Sequence, residues 1–97
     1  MTQDDRERYI FRLYVLGREE PKSLLAIENL HQLGQNYLSG NYDLEIIDLD
    51  EDISVAETER ITAIPTLVKD YPPPTQKFYG DLSDTSRLLQ GLGIRSG

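Results

Sequence analysis

The chain has 97 residues, enough for one domain with a single modest core and too few for two. It contains no cysteine, which excludes disulfides, thiolate metal sites, thiol nucleophiles and dithiol redox chemistry. Its 17 acidic residues against 10 basic ones give a formal charge of −7, which repels nucleic acid phosphates and anionic membranes. The polar start, MTQDDRER, and the shortness of every apolar run predict a soluble, cytoplasmic protein.

Residues 1–8 and 95–97 are expected to be flexible ends of this single domain. The first ordered segment is YIFRLYVLG. Phe11, Leu13 and Val15 fall on one face of a strand, and Ile10, Tyr14 and Leu16 on the other. Two apolar faces predict a central strand with helices on both sides, hence an α/β arrangement. Gly17 closes the strand. Pro21 suits the first turn of a helix, and Glu19 and Glu20 sit where its positive end favours acids. Ala26, Leu30, Leu33 and Tyr37, flanked by Ile27, form an apolar stripe that carries the helix to about Leu38. Gly40 and Asn41 supply left-handed residues to end it.

DLEIIDLD reads as a short strand, with Leu44 and Ile46 alternating against Ile47 and Leu49. In ISVAETERIT, Ser54 and Glu57 have capping-box spacing, predicting a short helix that buries Val55, Ala56 and Ile61. Thr66 to Lys69 and Gln76 to Tyr79 read as two more strands, the second ending at Gly80. Ser83 or Asp84 caps a last helix with Leu88, Leu89 and Leu92 buried. The order is β-α-β-α-β-β-α.

Pro72, Pro73 and Pro74 stand between the last two strands. Three prolines in series favour an extended polyproline form without backbone donors, so no local turn is expected to weld those strands. With Gly80, Gly91 and Gly93 nearby, the latter half is weakly specified by local sequence, so the residues alone read either as a merely long loop or as two packings that lie close in free energy.

Among the polar residues, Asp43, Glu45, Asp48, Asp50, Glu51, Asp52, Glu57 and Glu59 form a tract without Lys or Arg, which reads as a solvated face. Asp48, Asp50, Asp52 and Glu59 match four positions of a calcium loop, but Ile53 stands where that loop needs glycine and a strand precedes it. His31, the single histidine, has no second imidazole to share a metal. Ser23, Ser83 and Ser86 have no evident base to activate them. Tyr9 and Tyr14 are expected to pack within or beside the central strand.

The element order resembles the thioredoxin-like topology, and AIPTLV resembles the segment in which that fold carries a cis-proline, implying a cis Ile64-Pro65 bond before the third strand. Where thioredoxins place Cys-x-x-Cys, this chain reads GREEP, without a nucleophile. From Tyr9 to Ile94, through LYVLG, IPTLVK, Pro72 to Pro74 and GDLSD, the sequence also resembles the KaiB family. That resemblance implies a non-enzymatic protein that needs no cofactor and docks on the ATPase ring of a RecA-like KaiC hexamer. It further implies a metamorphic chain with two folds, a thioredoxin-like binding form and a homo-oligomeric ground-state form. The structural switch elements would be Pro65, Pro72, Pro73, Pro74, Gly80, Gly91 and Gly93. The candidate partner contacts are the bases that survive in the matching segments, Arg12, Arg60, Lys69 and Lys77. A KaiA-like protein is a further partner in that picture. The alternative is a thioredoxin-fold adaptor or sensor domain serving a histidine kinase or stress regulator.

Overall fold

The computed structural model describes residues 8–51 and 53–94. The elements are β1 (Tyr9–Val15), α1 (Pro21–Tyr37), β2 (Tyr42–Asp48), α2 (Ser54–Thr58), β3 (Thr66–Tyr71), β4 (Gln76–Tyr79) and α3 (Thr85–Leu92), in the thioredoxin-like order. One four-stranded sheet runs β2-β1-β3-β4, with β1 parallel to β2 and antiparallel to β3, and β3 antiparallel to β4. The strand that is apolar on both sides is thus an inner one.

Side-chain alternation divides the core. Phe11, Leu13, Val15 and Leu67 point to one face of the sheet, where Ala26, Leu30 and Leu33 of α1 and Leu88, Leu89 and Leu92 of α3 cover them. Tyr14 and Val68 point to the other, where Leu49 and the partly buried Val55, Ala56 and Ile61 form a smaller cluster around α2. Because α2 is only five residues long, this second face is covered over part of its length.

Pro21 occupies the first turn of α1, but Glu20 is an extended N-cap whose side chain makes no capping bond. At the other end Ser39 and Gly40 take the left-handed conformations, with φ of 54° and 73°, in place of the expected Gly40 and Asn41. Tyr37 is not on the buried stripe either. Gly34 takes that place, because the helical stripe drifts with each turn and the Tyr42 ring enters at the glycine. The expected Ser54 cap is also absent: Ser54 is already helical, and Ile53 precedes it in the right-handed helical region. Bonds from the Asp50 and Glu51 N–H groups to Asp48 turn the chain ahead of Ile53, and Ile53, the residue at the cap position, has no side-chain acceptor to offer. For α3, Asp84 is the cap: its carboxylate accepts from the Arg87 N–H, and Gly93 closes the helix at φ 74°.

The Ile64-Pro65 bond is cis as expected, and the Gly80 N–H donates to the Pro65 carbonyl at 3.0 Å, tying the end of β4 to the start of β3. The proline triplet departs from expectation. β3 and β4 form a regular antiparallel hairpin, from Thr66↔Tyr79 to Lys69↔Gln76, and Tyr71-Pro72 and Pro73-Pro74 are both cis. All three prolines lie beyond the rungs shared by the two strands, so no ladder N–H is lost and the triplet sits in the hairpin's connection. At Gly91, the carbonyl accepts from the Gln76 amide at 2.8 Å and a Cβ would fall 2.6 Å from the Phe78 ring, so α3 is seated closely on β4.

Of the ends expected to be flexible, residues 1–7 and 95–97 lie outside the described residues. Arg8 is tied down, donating to Asp43, Asn41 Oδ1 and the Tyr42 carbonyl. No helix among the described residues is long and apolar enough to cross a membrane.

A Cβ added at Gly34 would lie 2.2 Å from Cε1 of Tyr42, whose hydroxyl is held 2.6 Å from His31 Nδ1. Although Gly→Ala ordinarily favours a helix interior, Gly34→Ala is expected to destabilise the protein by about 1–3 kcal/mol through overpacking. Urea unfolding reads this as a lower midpoint at unchanged slope.

Candidate protein-binding face

The partly covered face of the sheet carries a row of charge. Paired residues on neighbouring strands share a face, and the registers place Glu45, Arg12, Val68 and Lys77 side by side across all four strands. Arg12 is the charged interruption in an apolar strand, and its guanidinium is held from several sides. Nη2 donates to Asp70 Oδ1 at 2.8 Å, Nε donates to Asp70 Oδ2, and Nη1 donates to Tyr14 Oη and to Glu59 Oε1, the last at 3.3 Å. Its carbon also sits 5.5 Å from the centre of the Tyr14 ring.

These contacts act on protonation in opposite senses. The bidentate bond to Asp70 raises the Arg12 pKa further, against burial, so the guanidinium is charged at any accessible pH. Burial pushes the Tyr14 hydroxyl up, and the positive charge of Arg12 opposes that only in part, so Tyr14 stays a neutral phenol.

The four candidate contact bases do not share one surface. Arg12 is half-buried and engaged in ion pairs. Lys77 lies on the same face, its Nζ 3.1 Å from the Glu59 carbonyl and 3.4 Å from that of Arg60, so it fixes the chain leaving α2. Arg60 itself is exposed, in a left-handed conformation with φ 58°. Lys69 is different: its register partners are Phe11 and Gln76, it belongs to the face covered by α1 and α3, and it is 4% exposed. In this fold Lys69 is buried and is not offered at the surface to another protein. The carboxylates Glu59 and Asp70 and the phenol of Tyr14 went unrecognised in the sequence; an arginine inside an apolar strand was the available signal, since such a residue needs buried partners.

At the carboxyl end of β1, the loop that replaces a thioredoxin dithiol is closed by a carboxylate. Asp48 Oδ1 accepts from the Gly17 N–H at 2.9 Å and from the Asp50 N–H at 3.0 Å, and Oδ2 accepts from the Arg18 N–H at 3.0 Å. The calcium-loop reading thus meets a residue already saturated with backbone donors, and Asp52 lies outside the described residues. Among the described residues no group of three or more His, Asp or Glu could hold a metal ion. Around this loop stand exposed apolar side chains: Leu16 after β1, Leu24 in the first turn of α1, Ile53 before α2, Ile64 before β3 and Tyr79 at the end of β4. Strand direction puts all five at one end of the sheet, since Tyr14 pairs with Thr66 and Thr66 with Tyr79.

The Gly17 N–H, followed by those of Asp50 and Arg18, holds the Asp48 carboxyl below its ordinary pKa of 3.8. A depressed folded value contributes stability that is present above 3.8 and is lost as pH falls through the folded value. Asp48→Asn is therefore expected to lower stability at neutral pH, and its deficit is expected to shrink as pH falls below that range, in urea unfolding followed from neutral to acid pH.

The KaiB domain model matches residues 12–94. The circadian clock oscillator protein KaiB of Prochlorococcus marinus is 43% identical over 89 residues, covering 92% of this chain and 77% of that protein. Circadian clock protein KaiB3 of Synechocystis is 42% identical over 90 residues, covering 93% and 87%. Among solved structures, the N-terminal domain of Synechococcus elongatus SasA aligns with a TM-score of 0.72 at 23% identity, covering 95% of this chain and 90% of that one. Chloroplastic thioredoxin z gives 0.66 at 19% identity, covering 93% and 82%. The structural likenesses establish a thioredoxin-like fold, and with the family match and the sequence identities it follows that this chain belongs to the KaiB family.

Proposed function

We propose that the protein is a non-enzymatic clock regulator that docks, in the thioredoxin-like form described above, on the ATPase ring of a KaiC-like RecA-type hexamer. The clock role is that of its relatives, which are named as circadian clock proteins. One observation carries the docking reading. At the end of the sheet where thioredoxins hold a reactive dithiol, this chain offers no nucleophile and instead exposes Leu16, Leu24, Ile53, Ile64 and Tyr79. Apolar groups gathered at one end of a small protein suit an interface core that excludes water, whereas chemistry would need an activated group there. Arg60 and Lys77 flank this region as rim charges, and Arg12 acts by ordering the elements behind it.

The second half, from α2 to α3, rests on a five-residue helix and a four-residue edge strand. These short elements favour the metamorphic reading, with a second, homo-oligomeric packing of that half as the resting form and Pro65, Pro72 to Pro74, Gly80, Gly91 and Gly93 as the places where the backbone rearranges. A KaiA-like protein or a histidine kinase would compete for, or follow, the docked form.

The test is retention of the purified chain on an immobilised, ATP-loaded KaiC-type hexamer. Wild type is expected to be retained, and the double variant Leu16→Asp with Ile53→Asp to bind at least about tenfold more weakly with an unchanged circular dichroism spectrum. Retention of the double variant at wild-type affinity would remove the apolar rim from the interface, and no retention of wild type by such rings would remove the proposal.

A further inference from the structure

The polar side-chain contacts sort by where they lie in the chain. Arg8 with Asp43 and Arg18 with Asp48 both fall within the first half, β1 to β2. Lys77 with the carbonyls of Glu59 and Arg60 falls within the second. Asn29 and Arg12 cross between them: the Asn29 amide donates to the Asp81 carbonyl at 2.9 Å, and Arg12 reaches Asp70 across 58 residues and Glu59 across 47. Asp70 is aimed by a backbone irregularity: the β1–β3 register steps from Ile10↔Tyr71 to Phe11↔Lys69, leaving Asp70 without an opposed residue at a bulge, from which its carboxylate meets the guanidinium.

The other bonds between the halves are less particular. Asn29 makes a single bond to a backbone carbonyl, the β1–β3 ladder is backbone, and Leu67 or Val68 is satisfied by any arrangement that keeps it from water. A forked Arg–carboxylate pair at 24% and 32% side-chain exposure is satisfied in one geometry only. We infer that Arg12 is a positioning residue whose pairs with Asp70 and Glu59 clamp the second half of the chain onto the first, and so set how readily that half leaves this arrangement. This deepens the two-packing reading proposed above by naming the contact that holds one packing in place.

Amide hydrogen exchange on the full-length chain without any partner tests it. In Asp70→Asn, protected amides of the second half, such as Val68, Leu88 and Leu89, are expected to exchange roughly tenfold faster, while those of Leu30 and Leu33 in α1 change by less than about twofold. Arg12→Gln is expected to show the same selectivity, and the Arg12→Gln, Asp70→Asn double variant to add little to either. Arg12→Lys, which keeps the charge and loses the fork, is expected to fall between. If Asp70→Asn yields no folded protein, Glu59→Gln removes a single 3.3 Å contact and is expected to give the same selectivity at smaller size. Equal acceleration in both halves, no acceleration in either, or fully additive effects in the double variant would overturn the clamp. Because no ring is present, failure of docking would leave this result standing, and uniform exchange would leave docking untouched.

Discussion

Both faces of β1 are apolar, and a strand of that kind is stable only between two covering layers. The rest of the molecule answers this constraint. Phe11, Leu13 and Val15 require the roof that α1 and α3 supply, while Tyr14 requires cover on the other side, where a chain this short can spare only α2, Leu49 and Ile61. The asymmetry has an electrostatic result. Arg12 lies where that thinner cover runs out, about a quarter exposed, and the carboxylates of Asp70 and Glu59 complete what apolar packing leaves undone.

The same shortage shapes the end of the sheet nearest the loops. Two thioredoxin-like devices are present, the cis Ile64-Pro65 bond and the turn between β1 and α1, but the turn is closed by Asp48 and holds no thiol. What remains there is shape and apolar surface. The backbone geometry of the fold keeps the exposed side chains of Leu16, Ile64 and Tyr79 at the same end.

The features legible in the sequence were those set by local pattern. Period-2 alternation in YIFRLYVLG located the inner strand and the 3.6-residue stripe located α1, while the cis-proline came from the resemblance of AIPTLV to the thioredoxin segment. Features fixed by distant contacts were not legible. Nothing near Arg12 announces Asp70, because their meeting depends on a bulge in a strand 58 residues away. Lys69 looked like a surface base until its register with Phe11 placed it on the covered face. The triplet Pro72 to Pro74 was read as an extended spacer because trans geometry is the ordinary expectation, whereas the hairpin that encloses it is decided by pairing on both sides. Ser54 is likewise no cap, since the helix begins on it and leaves Ile53 at the cap position.

The Tyr42 ring lodged against Gly34 has a mechanical side. One missing side chain in α1 makes a notch that a single aromatic tooth fills. Moving α1 by one position would drive that tooth into Leu33 or Gln35. The helix is thereby indexed against β2 like a key cut for one ward, and the alignment of the first half is set by that single notch.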